Sequence, residues 1–242
     1  MNKGIGIQAT DLTIGYGTET VQRNLTFSLY AGELVCMLGP NGCGKSTLIR
    51  TLAGLQPALG GRSSFSALSR SERARQLALV LTERMAVENT TVKDVVALGR
   101  FPYTSFLGAL TREDNRLIDE ALTTVGMTDY KHRLFVSLSD GESQRVLIAK
   151  ALAQQTPVIL LDEPTAHLDL PNRIMVMRVL HRLAHQEKKT ILISTHELEI
   201  ALQLSDRVLL LSPQGMQLDT PETLKKADAF TSAFGMDIFH PW

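Results

Sequence analysis

A glycine-rich segment between an apolar strand pattern and a helix pattern constrains this chain more than any other feature of its sequence. Residues 39–47 fit the pattern G-x-x-x-x-G-K-[ST], between a strand pattern at 33–38 and a helix pattern at 46–55. The nine residues are Gly39, Pro40, Asn41, Gly42, Cys43, Gly44, Lys45, Ser46 and Thr47. Backbone N–H groups in such a loop hold phosphate oxygens, and the positive end of the following helix adds to the attraction. We therefore expect Lys45 to reach the phosphates and the Ser46 hydroxyl to ligate Mg²⁺. A glycine turn with a lysine by chance is disfavoured by the flanking elements.

Two adjacent carboxylates close a second apolar stretch. Residues 158–161 are Val, Ile, Leu and Leu, the pattern of a buried strand, and Asp162 and Glu163 follow directly. We expect Asp162 to hold Mg²⁺ through water, opposite Ser46, and Glu163 to polarise an attacking water as a general base. The alternative is a helix cap or a solvated turn, which the phosphate-binding loop in the same chain disfavours.

Ser139 and Glu142 have the spacing of a capping box at the start of a helix pattern. This cap explains the pair without any further function. A helix N-terminus with a serine hydroxyl is, however, also an anion site. On these residues alone, the capping interpretation is favoured.

His196 comes shortly after another apolar strand pattern, at 190–194. Ligands of parallel sheets bind outside the carboxyl ends of the strands, where the phosphate-binding loop and Asp162 are also expected. A lone histidine is most often a hydrogen-bonded structural residue, but this position favours a contact with phosphate.

Strand and helix patterns alternate in the second half of the chain. Strand patterns lie at 158–161, 190–194 and 207–211, and helix patterns at 172–186 and 198–204. This alternation predicts a parallel sheet flanked by helices.

The first half of the chain has a different organisation. Residues 7–30 contain strand-like stretches broken at 15–17, which predicts antiparallel β structure. A polar, arginine-rich segment precedes a strand pattern at 77–81, and the region 84–155 is mainly helical, with helix patterns at 91–99 and 113–125. The tail at 228–242 has no clear period. We expect one α/β domain of 242 residues, with a mainly parallel sheet, an N-terminal antiparallel β subdomain and a helical insert subdomain.

Composition and charge narrow the class of protein. Lys plus Arg and Asp plus Glu number 25 each, so the basic excess typical of nucleic-acid binders is missing and no nucleic-acid partner is expected. The apolar runs are far shorter than the ~20 residues of a membrane helix, and the N-terminus leads into no apolar signal segment. We therefore expect a cytoplasmic protein that meets the membrane only through a partner.

The two cysteines, Cys36 and Cys43, suit a reducing compartment, and a disulfide between them is not expected. Cys43 lies in the glycine loop just before a helix N-terminus. That environment predicts a lowered thiol pKa and makes Cys43 the more reactive of the two.

Taken in order, these residues resemble the ATP-binding-cassette (ABC) ATPases from about residue 7 to about residue 224. The resemblance equates residues 39–47 with the Walker A loop and residues 158–162 with Walker B. Glu163 then corresponds to the catalytic glutamate and His196 to the switch histidine. Residues 165–169, which include Asp169, correspond to the D-loop. Residues 138–144 resemble the signature segment, which overturns the preference for a cap alone. The signature residues carried over are Leu138, Ser139, Asp140, Gly141 and Glu142. Tyr16 matches the aromatic residue that stacks on adenine.

The resemblance implies an ATPase that binds ATP and Mg²⁺ and works with transmembrane permease subunits on the cytoplasmic face of the membrane. In this family each ATP lies between two cassettes that face head to tail, contacting the Walker loop of one and the signature helix of the other. This chain carries one copy of each half, so a homodimer is expected.

Within the family, the chain is most similar to the importer cassettes for iron chelates, haem and cobalamin, through residues 68–75 and 91–100. The alternative is a soluble ABC ATPase of repair or translation that has no transporter. Such proteins usually carry tandem cassettes or long coiled-coil inserts, and this chain has neither. A simple P-loop kinase is disfavoured by the signature segment and by His196.

Two residues depart from the family pattern. Thr82 stands where the Q-loop should have a glutamine, and threonine is too short to span the same distance. Asp140 replaces the first glycine of the signature. Its carboxylate is expected to repel the γ-phosphate bound by a partner cassette, unless the side chain turns away to cap its helix.

Overall fold

Strands from both halves of the chain form two β-sheets in the computed structural model, which describes residues 4–81, 88–104, 108–166 and 168–235. In chain order the strands and helices are β1 (Ile5–Tyr16), β2 (Glu19–Tyr30), β3 (Leu34–Leu38), α1 (Lys45–Leu52), β4 (Gly60–Ser63), α2 (Arg70–Gln76), β5 (Leu77–Val80), α3 (Val92–Ala97), α4 (Arg112–Thr124), α5 (Asp140–Ala153), β6 (Val158–Asp162), α6 (Leu170–Glu187), β7 (Thr190–Ser194), α7 (Leu198–Leu204), β8 (Arg207–Ser212), β9 (Gly215–Asp219), α8 (Pro221–Lys226) and α9 (Ala229–Phe234). Short 3-10 helices cover Leu98–Tyr103, Thr128–Tyr130 and Phe135–Ser137.

The larger sheet has six strands in the order β5-β6-β7-β3-β8-β9. Its first five strands are parallel, and β9 pairs antiparallel with β8 at one edge. Every residue of β3, β6 and β7 is buried, as expected for parallel strands covered on both faces. The predicted α/β fold with a mainly parallel sheet is therefore confirmed.

The smaller sheet has three antiparallel strands in the order β2-β1-β4. The predicted antiparallel structure is present, but the break lies later than expected, since β1 continues through Tyr16 and the turn is at 17–18. Gly17 takes a φ of 56°, a backbone conformation that suits glycine in a tight turn.

Alternate residues of β3 point to opposite faces of the parallel sheet. Leu34, Cys36 and Leu38 are buried in a cluster with residues of α3, α4, α5 and α6. Val35 and Met37 are buried in a second cluster with residues of β1, β2 and α1. The parallel sheet thus lies between helices on one face and the antiparallel sheet with α1 on the other.

Helices make up most of the described chain between β5 and β6. The predicted helix at 113–125 is α4, and the one at 91–99 is α3 followed by a 3-10 helix; Thr111 and Thr91 cap them with capping boxes. The polar segment before β5 also forms a helix, α2, which the sequence analysis missed. It has no buried residue and hence no apolar period, but Ser69 and Glu72 form a capping box that could have identified it.

The tail contains one further short helix, α9, whose Phe230 is fully buried. Six residues are too few to show a hydrophobic period, so the sequence could not reveal it. Within the described residues, no helix is long and apolar enough to cross a membrane.

Candidate functional site

The loop at 39–47 leaves the carboxyl end of β3 and runs into α1. Gly39, Gly42 and Gly44 have φ angles of 150°, 78° and 105°, which side-chain-bearing residues rarely adopt. A Cβ on Gly39 would clash with the carbonyl oxygen of Leu211 on β8. The first turn of α1 contains no acidic residue, so its positive end is left for an external anion.

Lys45 is almost fully buried at the base of this loop. Its Nζ donates hydrogen bonds to the carbonyl oxygens of Gly39 at 2.7 Å and Pro40 at 3.1 Å. Both partners are neutral and belong to the loop. The ammonium group is thus held inside the loop, where its positive charge can act on a bound phosphate.

The two predicted metal-ligand residues are in direct contact. Ser46 Oγ donates to Asp162 Oδ1 at 3.0 Å, across a sequence separation of 116 residues. The same Oδ1 accepts a hydrogen bond of 2.6 Å from the buried hydroxyl of Ser194. Asp162 and Ser194 are paired residues at the ends of the adjacent parallel strands β6 and β7.

Glu163 and His196 also meet. Glu163 Oε1 lies 2.5 Å from His196 Nε2, and both side chains are partly exposed. Glu163 has a φ of 47°, a left-handed conformation unusual for a residue with a side chain. Its N–H donates to the carbonyl oxygen and hydroxyl of Ser194, at 3.1 Å and 2.9 Å. The structure therefore joins Glu163 and His196 at the carboxyl ends of β6 and β7.

Tyr16 lies at the end of β1, beside the phosphate-binding loop. Its hydroxyl is 3.0 Å from that of Thr47, while 54% of the residue is exposed. The ring is thus tethered to the loop and still accessible to a ligand.

Gln22 on β2 was missed by the sequence analysis. The side chain is buried, and its Nε2 donates to the carbonyl oxygens of Cys43 and Ser212, each at 2.9 Å. This amide connects the loop to β2 and to the end of β8. The alternation set by the buried Leu25, Phe27 and Leu29 would turn Gln22 outward. A register shift between β1 and β2 turns it inward instead, so the sequence pattern carried no signal for this residue.

The thiol of Cys43 behaves differently from what was predicted. Burial raises the pKa of Cys43, and the nearby Lys45 ammonium only partly offsets this effect. The expected lowering of its pKa was therefore wrong, because helix position and lysine proximity were weighed without desolvation. Complete burial raises the pKa of Cys36 to about 12.

The signature segment begins α5, and its capping box is present. Ser139 Oγ accepts from the N–H of Glu142 at 3.3 Å, and the Glu142 carboxylate accepts from the N–H of Ser139 at 2.8 Å. The hydrogen bonds that the Ser139 N–H and hydroxyl donate to the Glu142 carboxylate lower the pKa of Glu142. Asp140 is the exposed first residue of the helix, so the cap is supplied by Ser139 and not by Asp140.

Gly141 packs the signature segment closely against α6. A Cβ at this position would lie 2.9 Å from the Asn172 side chain. Asp169, the predicted D-loop residue, caps α6 by accepting from the N–H and side-chain amide of Asn172 at 3.1 Å and 2.7 Å. These contacts join the signature segment to α6, while Tyr16, Lys45, Asp162, Glu163 and His196 are grouped around the loop. Thr82 lies outside the described residues.

The arrangement supplies the parts needed to cleave a phosphoanhydride bond. A cationic loop can hold the phosphates, a serine and an aspartate meet beside it, and a partly exposed carboxylate is positioned to accept a proton from water. All of these groups are at the carboxyl ends of β3, β6 and β7, where parallel sheets bind their ligands.

Comparison with known proteins agrees with this geometry. The family model described as ABC transporter matches residues 22–166. The petrobactin import ATP-binding protein FpuC of Bacillus anthracis is 37% identical over 222 residues, covering 89% of this chain and 82% of that protein. The iron(3+)-hydroxamate import ATP-binding protein FhuC of Bacillus subtilis is 35% identical over 232 residues, covering 91% and 86%.

Solved structures show the same fold. A metal-chelate type ABC transporter in an inward-facing conformation matches with a TM-score of 0.85 and 29% identity, over 97% of this chain and 90% of that one. A dimeric ATP-binding cassette in a post-hydrolysis state with ADP and Pi matches with a TM-score of 0.76 and 25% identity, over 89% and 98%. The chain has the P-loop NTPase fold of these cassettes, binds ATP, and belongs to the ABC transporter family as an ATP-hydrolysing, nucleotide-binding subunit.

Proposed function

We propose that this chain powers the import of a metal chelate of the iron-siderophore, haem or cobalamin type. Support comes from the similarity to the petrobactin and iron(3+)-hydroxamate import proteins over about nine-tenths of the chain. The likeness to a metal-chelate type transporter over 97% of the chain points the same way. For the chemistry, the observation that carries the proposal is the contact of Ser46 with Asp162 beside the loop that holds Lys45.

In the proposed reaction, the loop N–H groups and Lys45 bind the phosphates of ATP, and the ring of Tyr16 stacks on adenine. Glu163 accepts a proton from the water that attacks the γ-phosphate, and His196 holds the Glu163 carboxylate through the 2.5 Å contact. Both groups are partly exposed, so water can reach them.

Ser46 and Asp162 would hold Mg²⁺. The described residues contain no group of three or more His, Cys, Asp or Glu side chains that could hold a metal ion. One hydroxyl and one carboxylate instead fit a cation that takes its remaining ligands from water and phosphate, as Mg²⁺ does. When bound, Mg²⁺ neutralises charge on the β- and γ-phosphate oxygens.

The working unit is a homodimer. Each copy is a single nucleotide-binding domain that spans residues 1–242, and residues from about 84 to about 155 form its helical subdomain. Residues 138–142 of one copy would contact ATP in the loop of the other. The dimeric state of the similar cassette supports this arrangement. Transmembrane permease subunits would hold the dimer at the cytoplasmic face of the membrane, with no nucleic acid involved.

The test is affinity purification of the tagged chain from detergent-solubilised membranes, followed by reconstitution of the complex in vesicles. We expect a polytopic permease to copurify, and ATP-driven uptake of a radiolabelled ferric siderophore, haem or cobalamin that Glu163→Gln abolishes. Copurification with ribosomes or DNA-repair proteins, and with no membrane protein, would instead favour the soluble ABC ATPase.

A further inference from the structure

A buried serine links the two carboxylates to which the proposed mechanism gives different roles. Ser194 is the last residue of β7, whose other residues are one threonine and three aliphatic residues, and it is fully buried. Its Oγ lies 2.6 Å from Asp162 Oδ1 and 2.9 Å from the backbone nitrogen of Glu163. One hydroxyl therefore contacts both the proposed metal ligand and the residue that carries the proposed base.

The chemistry of the groups sets the direction of these hydrogen bonds. The N–H of Glu163 can only donate, so Ser194 Oγ accepts from it. The serine proton is then available for Asp162 Oδ1, which as a carboxylate oxygen accepts. The same Oδ1 accepts the Ser46 hydroxyl at 3.0 Å, so two hydroxyl groups orient this oxygen.

The backbone of Glu163 adds a second observation. Its φ of 47° is uncommon for a residue with a side chain and persists only where the surroundings hold it. Both hydrogen bonds of the Glu163 N–H go to Ser194, one to the carbonyl and one to the hydroxyl. This turn carries the Glu163 side chain to its contact with His196.

We propose that Ser194 is a positioning residue for ATP hydrolysis, whose hydroxyl orients Asp162 for the metal and holds the backbone of Glu163 for proton transfer. The inference rests on the roles of Asp162 and Glu163 in the proposed function. Ser194 acts through these two residues and does not touch the nucleotide. If its hydroxyl served only to satisfy a buried polar group, its loss would change the stability of the fold and leave metal affinity and turnover as they are.

The test compares Ser194→Ala with Ser205→Ala. Ser205 follows α7, outside the strands that carry Asp162 and Ser194. The Ser205→Ala variant also loses a hydroxyl, which donates to the carbonyl oxygen of Ala201 at 2.6 Å. For each variant we would measure kcat and KM for Mg-ATP, the affinity of the ADP complex for Mn²⁺ by electron paramagnetic resonance, ADP affinity in EDTA, and the melting temperature.

For Ser194→Ala we expect kcat and Mn²⁺ affinity to fall by about 10- to 100-fold, the effect typical of losing a residue that orients a metal ligand. ADP affinity in EDTA should stay unchanged, because the described hydrogen bonds of the Ser194 hydroxyl go to Asp162 and Glu163 and not to the backbone that holds the phosphates. Ser194→Thr retains the hydroxyl and should recover part of kcat. Ser205→Ala should behave as the wild type.

Wild-type kcat and Mn²⁺ affinity in Ser194→Ala would overturn the inference. So would a loss of ADP affinity in EDTA as large as the loss of Mn²⁺ affinity. Asp162→Asn and Glu163→Gln separate this failure from that of the proposed function. If these two variants lose turnover and Ser194→Ala does not, only the role of Ser194 is wrong. If they also hydrolyse ATP at the wild-type rate, the proposed catalytic roles are wrong.

Discussion

Glu163 Oε1 lies 2.5 Å from His196 Nε2, although the two residues follow different strands of the parallel sheet. The contact exists because β6 and β7 are adjacent and end at the same edge of the sheet. It places a carboxylate that can accept a proton beside a ring that can fix its orientation.

Replacing Glu163 with Gln should slow ATP hydrolysis by about 10²- to 10⁴-fold, because the proposed general base is lost while the phosphate loop is intact. ATP binding should persist, and the variant should accumulate as an ATP-bound dimer. Steady-state ATPase assays and size-exclusion chromatography with ATP check both outcomes. Glu199→Gln, which makes the same change at an exposed residue of α7, is the control. Turnover near the wild-type rate in Glu163→Gln would move the base to another residue.

Replacing Gln22 with Leu should weaken ATP binding by about tenfold, because the buried carbonyl groups of Cys43 and Ser212 lose their donor. The substitution nearly preserves volume, so the expected defect is a less well-held loop rather than a cavity. Nucleotide affinity by fluorescence titration measures it, with kcat at saturating ATP less affected. Gln8→Leu, at an exposed position on β1, serves as the matched control. Unchanged affinity in Gln22→Leu would mean that the loop keeps its shape without this amide.

Maleimide labelling should report the burial of Cys43. Because burial raises the thiol pKa, Cys43 stays protonated at neutral pH and should react more slowly than a small free thiol, with the rate rising as the pH increases. Cys36, whose pKa is raised to about 12, should react more slowly still. Mg-ATP should slow the labelling of Cys43 further. A labelling rate for Cys43 that is the same with and without nucleotide would contradict its position in the nucleotide site. In the control variant Cys43→Ser, any labelling that remains comes from Cys36.

Asp140→Gly should favour ATP-driven dimerisation, and Asp140→Asn should favour it to a smaller extent. The reason is that in the proposed dimer the Asp140 carboxylate would lie near the γ-phosphate bound by the partner, and like charges would disfavour the closed state. Ser139 and Glu142 still cap α5 in both variants. The dimer fraction against ATP concentration measures the effect, with Asp129→Asn at an exposed nearby residue as control. Weaker dimerisation in Asp140→Gly would show that the carboxylate supports the interface.

A buried ion pair in the helical region should give the fold an acid-dependent component. Arg100 Nε lies 2.7 Å from Asp114 Oδ1, and hydrogen bonds from Thr111, with the arginine, lower the pKa of Asp114 from 3.8 to about 2. A carboxyl group whose pKa is lowered by folding stabilises the folded state at pH values above its unfolded pKa. This stabilisation is lost as the pH falls towards its folded pKa. Asp114→Asn should therefore cost about 3 kcal/mol of unfolding free energy at neutral pH, the typical cost of breaking a buried pair. The difference from the wild type should shrink between pH 4 and pH 2 in denaturant titrations. The control Asp119→Asn, at a more exposed pair with Lys131, should have a smaller effect; a pH-independent difference for Asp114→Asn would contradict the argument.

The sequence by itself determined the features that depend on neighbouring residues. The phosphate-binding loop was predictable because its glycines, lysine and serine are consecutive and its flanking elements have their own periods. The cap of α5 was predictable because Ser139 and Glu142 are three residues apart, and the alternation of strands and helices indicated a parallel sheet. Helix α2 was missed although its capping box is as local as that of α5, since a fully solvated helix has no apolar period to draw attention to it.

Only the tertiary structure decided which distant residues share the site. Ser194 and Asp162, 32 residues apart, meet because β6 and β7 are adjacent strands of one sheet. Gln22 and Ser212, 190 residues apart, meet because the two sheets pack against each other. No local pattern encodes strand order, because it follows from how all the apolar faces are buried together. The pKa of Cys43 has the same origin: the helix and lysine beside it can be read from the sequence, but the desolvation that outweighs them comes from burial by the folded chain.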